Sequence, residues 1–129
     1  MLYAILCYAD EETVFAWSKE EEAAVMGRLY AVQEPLAQAR KLGPTGRLMP
    51  TTAATTVRKG KEEPIVLDGP FAETKEALGG YYLVEAKDLD EAIDFAARIP
   101  GAQNGSIEVR PIWEIPDEIL SAAGSAAAN

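Results

Sequence analysis

The sequence predicts an α+β fold in which one antiparallel sheet carries two helices on one face. Apolar runs and helical periodicities follow one another in the order strand, helix, two or three strands, strand, helix, strand. The length of 129 residues fits one domain, and 48% hydrophobic with 26% charged residues is typical of a globular protein. We therefore expect one folded unit over residues 1–115 and a flexible, low-complexity tail over residues 116–129.

Two segments are predicted to be central strands because both of their alternating sets of side chains are apolar. Residues 2–8 and residues 81–86 have this pattern, which is typical of strands covered on both faces. Two helices cover only one face of a sheet, so the other face would leave an apolar patch larger than monomers usually expose. The sequence therefore predicts a homodimer in which two sheets pack face to face.

The two helices are predicted from their first turns and from the spacing of their apolar residues. Ser18 and Glu21 have the spacing of a capping box, and apolar residues then recur at intervals of three and four to about Leu42. Turn-forming residues at 43–46 would end this helix. A second capped start at Asp88 precedes another amphipathic run.

The other predicted strands are shorter and more polar. They lie at residues 47–50, 54–58, 65–67 and 107–113. The second and third of these flank a polar segment and predict a hairpin.

Composition excludes several classes of function. The chain has no histidine and one cysteine, Cys7, which excludes imidazole-based catalysis, most catalytic zinc sites and an internal disulfide. A net charge of −9 disfavours binding to nucleic acid. The chain begins without a basic leader and has no apolar run near the ~20 residues of a membrane helix. We expect a cytoplasmic protein with no membrane partner, no cofactor and no metal, in which Cys7 is buried and inert.

The densest group of acid–base side chains lies in residues 68–80. Asp68, Glu73 and Lys75 are candidate catalytic residues, because carboxylate and ammonium groups in a partly desolvated cleft shift each other's pKa. A structural interpretation stands beside this one, with Asp68 forming a turn and the others forming solvated ion pairs.

Three further residues are candidates for ligand binding. Asp10 ends the first strand of the same sheet, and Arg58 and Arg110 offer guanidinium groups that match an anionic ligand. The two arginines also have a structural interpretation, as salt-bridge partners in a dimer or as charges at a strand edge. Aromatic residues, by contrast, are interpreted as packing residues; these are Tyr81, Tyr82, Trp17 and Trp113.

The same segment resembles that of a known family. The chain resembles the DGPF branch of the YCII-related proteins, named after the motif at Asp68–Phe71, and the match continues through residues 73–76 and 78–82. The resemblance implies a dimeric ferredoxin-like fold, also called a dimeric α/β barrel, and no known reaction. In the wider group a histidine–aspartate pair is the proposed catalytic element, which a chain without histidine cannot contain. Some relatives are encoded beside extracytoplasmic-function sigma factors.

Functions of different classes therefore remain open. In the first, the protein binds a small metabolite, an anionic one being suited to the arginines, and performs acid–base chemistry without a cofactor. In the second, it is a non-catalytic module that senses a ligand or docks a partner such as a sigma factor. In a third, the motif is purely structural.

Overall fold

The computed structural model describes residues 1–100, 105–114 and 116. Its elements are β1 (Leu2–Ala9), α1 (Glu11–Phe15), α2 (Lys19–Gln38), β2 (Leu42–Arg47), β3 (Thr55–Arg58), β4 (Ile65–Asp68), β5 (Ala77–Glu85), α3 (Leu89–Arg98) and β6 (Gly105–Pro111). The predicted α+β class is confirmed. No helix among these residues is long and apolar enough to cross a bilayer. Residues 117–129, most of the tail predicted to be flexible, lie outside the described residues.

Four strands form an antiparallel sheet in the order β2-β5-β1-β6. The two segments predicted to be central strands are β1 and β5, and they are neighbours at the middle of the sheet. In their register Ile5 lies opposite Tyr82, and Leu6 lies opposite Tyr81. Because successive side chains of a strand point to opposite faces, the first pair points towards the helices and the second towards the helix-free face.

The core lies between the sheet and α3. Ile5 and Val84 are fully buried, and Phe95 of α3 meets the Tyr82 ring edge-on with ring centroids 5.8 Å apart. This helix begins as predicted, since the Asp88 carboxylate accepts a hydrogen bond from the Glu91 backbone N–H. Its buried residues, Ala92, Phe95 and Ala96, lie on one side of the helix, and this apolar side packs against the sheet.

The longer helix, α2, is less deeply buried than α3. Ser18 caps it through a hydrogen bond from the Glu21 backbone N–H, as predicted. It ends earlier than predicted because Arg40 adopts a left-handed conformation with φ of 58° and the Lys41 N–H donates to the Leu36 carbonyl. None of the residues of α2 is fully buried.

The turn predicted at residues 43–46 is wrong, because these residues lie in the edge strand β2. Its glycines permit a close approach to β5. A Cβ at Gly43 would lie 3.0 Å from the Leu83 carbonyl oxygen, and one at Gly46 would lie 2.8 Å from the Tyr81 ring. Pro44 is tolerated because an edge strand has one side without ladder hydrogen bonds. The strand predicted at residues 47–50 therefore lies earlier in the structure, at Leu42–Arg47.

The predicted hairpin forms, but it does not join the main sheet. Strands β3 and β4 make a separate two-stranded sheet, so the prediction of one sheet holds for only four of the six strands. Four of its apolar side chains are 43% to 65% exposed: Val57, Ile65, Val66 and Leu67. The hairpin therefore leaves its apolar side chains open to solvent in a single chain.

The helix-free face of the main sheet is apolar at its centre and charged along β6. Ala4 lies opposite Leu83 on one side and Arg110 on the other, while Leu6 lies between Tyr81 and Glu108. The apolar residues of this face are only half-buried. Trp113, which follows β6, is 91% exposed, so its interpretation as a packing residue is wrong for a single chain.

Candidate functional site

A cavity of about 370 Å³ lies between the helix-facing side of the main sheet and the helices α1 and α2. Strands β1, β2 and β5 form its floor, and Val25, Met26 and Leu29 of α2 line its roof. Trp17, from the segment between the two helices, lines it as well. This volume and this mostly apolar lining are typical of sites for small molecules.

Tyr82 provides the most deeply buried polar group of the cavity. Loss of solvation raises the pKa of its hydroxyl to about 12, and the neighbouring side chain of Gln33 in α2 opposes part of that rise. The phenol therefore keeps its proton at neutral pH. It can orient a bound molecule by hydrogen bonding, but it cannot act there as a base.

Cys7 lines the same cavity from β1. Burial raises the pKa of its thiol to about 11, so the reactive thiolate is scarce at neutral pH. The thiol therefore acts as a small apolar surface. Cys7 is half-buried, so the prediction that it is buried is wrong for a single chain.

Arg47 is the only charged residue among the described residues that line this cavity. Its guanidinium donates a hydrogen bond of 2.5 Å to the carboxylate of Glu22 in the first turns of α2. Both side chains are nearly half exposed, at 47% and 45%. The pair therefore lies at the mouth of the cavity, where it joins the roof to the sheet.

Two polar clefts lie beside the end of β1, and they share Asp10. One, of about 460 Å³, is lined by Asp10, Thr13, Lys75 and Glu76. The other, of about 350 Å³, includes Asp10, Glu11, Glu73 and the Gly69-Pro70 turn. The structure thus brings three of the predicted residues, Asp10, Glu73 and Lys75, to one region of the surface.

The other predicted residues lie elsewhere. Asp68 and Arg58 are at opposite ends of the hairpin, where they pair in register with Thr55 and Ile65 and are exposed. Arg110 lies on the helix-free face, where it forms an exposed ion pair with its neighbour Glu108. None of these three residues lines the cavity or the two clefts.

Specific hydrogen bonds hold both the segment before β3 and the glycine of the motif. The Glu11 carboxylate accepts bonds from the backbone N–H and the hydroxyl of Thr51, at 2.8 and 2.9 Å. The Gly69 N–H donates to the Ala54 carbonyl, and the Gly69 carbonyl accepts from the Thr56 hydroxyl, both at 2.7 Å. Gly69 has a φ of 97°, which favours glycine. These contacts give the glycine of the motif a structural role.

Asp10 likewise has a visible structural role. Its carboxylate accepts a hydrogen bond from the Glu12 backbone N–H and caps α1. Among the described residues, no group of three or more histidine, cysteine, aspartate or glutamate side chains is placed to hold a metal ion.

Sequence reasoning did not identify the cavity. The sequence predicts that Tyr82 and Trp17 pack in the core, and it predicts only a short strand for the residues 47–50 that include Arg47. The residue that could have indicated the cavity is Gln33, an uncharged polar residue on the half-buried side of α2. A polar side chain there indicates a polar neighbour on the sheet, and Gln33 lines the cavity together with Tyr82.

Comparison with known proteins gives consistent results. The profile of the YCII-related domain matches residues 1–116. An uncharacterized protein of Rhizobium meliloti strain 1021 is 57% identical over 114 residues, which cover 87% of this chain and 92% of that protein. A solved structure of 5-chloro-2-hydroxyhydroquinone dehydrochlorinase (TftG) from Burkholderia phenoliruptrix AC1100, in complex with 2,5-dihydroxybenzoquinone, matches with a TM-score of 0.53 at 17% identity. That match covers 92% of this chain and 98% of TftG, and it shows a shared fold.

Proposed function

The chain belongs to the YCII-related domain family, and we propose that it binds a small, largely apolar molecule in the cavity between α2 and the sheet. The observation that supports this most directly is the cavity itself, with its volume of about 370 Å³ and its apolar lining. Tyr82 and Gln33 supply the few polar groups that would orient such a molecule. TftG, which shares the fold, was solved with a small quinone bound, which supports a ligand of similar size.

The lining favours binding over catalysis by its own groups. The tyrosine and the cysteine both keep their protons at neutral pH, so neither would take a proton from a ligand.

A cofactor-free acid–base reaction is the second candidate function. It is favoured by one observation, that Asp10 and Lys75 line the same cleft beside the end of β1. A ligand-sensing module would use the same cavity without turnover.

The proposed assembly is a homodimer formed through the helix-free faces of two copies. The half-buried centre of this face, with Leu6 and Tyr81, supports that arrangement, because another sheet of the same shape would cover it. The acidic and basic residues along β6, Glu108 and Arg110, suit a twofold contact, in which each copy presents both charges. The exposed apolar hairpin would add to the buried surface.

Thermal unfolding in the presence of small aromatic compounds tests the binding proposal. Met26 is half-buried and lines the roof of the cavity, so Met26→Trp would fill part of it. Met26→Leu conserves the volume and is the matched control. A ligand of the cavity should raise the melting temperature of the wild type and of Met26→Leu, but not that of Met26→Trp. The proposal fails if no compound stabilises the wild type more than Met26→Trp.

The polar clefts are tested separately with the paired variant Glu73→Ala/Lys75→Ala. These two residues do not line the cavity, so stabilisation by a cavity ligand should persist in this variant. Loss of turnover with binding retained would support the acid–base function. Loss of binding would place the ligand in the clefts.

A further inference from the structure

We propose that the ligand of this cavity is an apolar ring compound bearing one carboxylate, and that this carboxylate replaces Glu22 as the partner of Arg47. This inference rests on the proposed function, because it assigns the chemical class of the molecule that fills the same cavity. It also assigns Arg47 as a residue that determines specificity.

The first support is the distribution of charge around the cavity. Arg47 is the one charged residue among its described lining residues, and its counter-charge, Glu22, does not line the cavity. A cavity that is otherwise apolar excludes a molecule with several charges, since each charge would lose its solvation. A single anionic group placed at the mouth would keep its charge beside Arg47 and leave the apolar body inside.

The second support is the position of Arg47 along β2. Thr45 lies opposite Tyr82, and Arg47 lies opposite Gly80, two residues further along. Residues two apart on a strand share a face and are separated by roughly 7 Å. A molecule whose apolar ring lies over Tyr82 would therefore reach Arg47 with a group attached directly to that ring.

The third support is that the existing ion pair is easily exchanged. Exposed pairs of this kind contribute little to stability, because water solvates both partners. Glu22 accepts one hydrogen bond from Arg47, whereas arginine can bind a carboxylate through two parallel hydrogen bonds. A ligand carboxylate would therefore offer at least the bond that Glu22 offers. After exchange, Glu22 would remain in contact with water.

One feature of the surface opposes an anionic ligand. The first turns of α2 contain Glu20, Glu21 and Glu22, whose charges repel an approaching carboxylate. Salt screens the repulsion between exposed charges that lie more than about 8–10 Å apart, whereas the ligand carboxylate would contact Arg47 directly. Removing Glu22 should therefore favour the ligand in two ways, by releasing Arg47 and by lowering the repulsion.

The test compares two probes of the same shape, 2-naphthoate and the neutral 2-naphthamide, by isothermal titration calorimetry on the full chain. Wild type should bind 2-naphthoate about tenfold more tightly than 2-naphthamide, as expected for a charge-assisted hydrogen bond. Arg47→Gln should remove this preference, so that the two probes bind with equal affinity. Far-ultraviolet circular dichroism would show whether Arg47→Gln remains folded.

Two glutamate variants separate exchange of the partner from simple charge. Glu22→Gln should raise the affinity for 2-naphthoate several-fold, because it frees Arg47. Glu21→Gln removes the same charge from the same helix end, and Glu21 is not the partner of Arg47. It should change the affinity less than Glu22→Gln does.

The outcomes distinguish the two proposals. Equal affinities of the wild type for the two probes, or equal effects of Glu22→Gln and Glu21→Gln, would overturn the assignment of a carboxylate while leaving the cavity as a binding site. Absence of binding by either probe would overturn this inference alone. Unchanged binding by Met26→Trp would place the probe outside the cavity and overturn the proposed function as well.

Discussion

Replacing Leu6 by lysine should separate the two copies of the proposed homodimer while each copy stays folded. Full burial of a leucine side chain stabilises by about 1.5–3 kcal/mol. Leu6 is already half-buried within one chain, so covering the rest would contribute about 1 kcal/mol per copy, or about 2 kcal/mol per dimer. A lysine in a closed interface would also lose the solvation of its charge, at a cost of several kcal/mol per ion.

These terms together exceed about 4 kcal/mol, so the dissociation constant of the dimer should rise by about 10³ or more. In the separate chain Leu6 lies beside Glu108, so a lysine there would meet a carboxylate and water. Sedimentation velocity at micromolar concentrations would measure the shift from dimer to monomer, with Leu6→Met as the matched control. A wild type that sediments as a monomer, or a Leu6→Lys variant that remains dimeric, would refute this reasoning.

Three further predictions concern the single chain. Ile5→Ala should lower the free energy of unfolding in urea by about 2–5 kcal/mol, because Ile5 is fully buried between the sheet and α3; a loss under 1 kcal/mol would contradict the described core. Gly69→Ala should cost about 1–2 kcal/mol in the same assay, since its φ of 97° disfavours any side chain, and an unchanged midpoint would show that the turn adapts. The free energy of unfolding should fall as pH rises from 9.0 to about 11, because the Cys7 thiol loses its proton at a lower pH in the unfolded chain than in the folded one. Cys7→Ala should therefore reduce the dependence of stability on pH in this range. The Tyr82 hydroxyl should cause a further loss of stability between pH 10.0 and about 12 for the same reason.

The elements that sequence reasoning identified are those specified by local patterns. Asp88 and the apolar stripe after it specify α3, and apolar residues on both faces specify β1 and β5. In each case the same few residues determine both the local conformation and the buried surface. The family was likewise predicted from a contiguous motif.

The elements that were missed depend on contacts between distant segments. Gly43 and Gly46 occur in a run with turn-forming composition, yet they are needed in β2 because β5 approaches too closely for a side chain. The hairpin has ordinary strand residues, and nothing in its sequence indicates whether it joins the sheet. The cavity arises where β2 and β5 meet α2, so its lining residues are far apart in the chain. Of the six predicted site residues, only the three near the end of β1 share a region, because that strand end and the motif loop are adjacent.

The unequal burial of the two long helices has a consequence for how a molecule would reach the cavity. α3 contributes fully buried residues to the core, whereas α2, which roofs the cavity, contributes none. Segments with little buried surface open at a lower free energy than the rest of a protein. Transient lifting of α2 would thus provide an entry route while the sheet and α3 stay intact, and an occupied cavity would slow hydrogen exchange in α2 more than in α3.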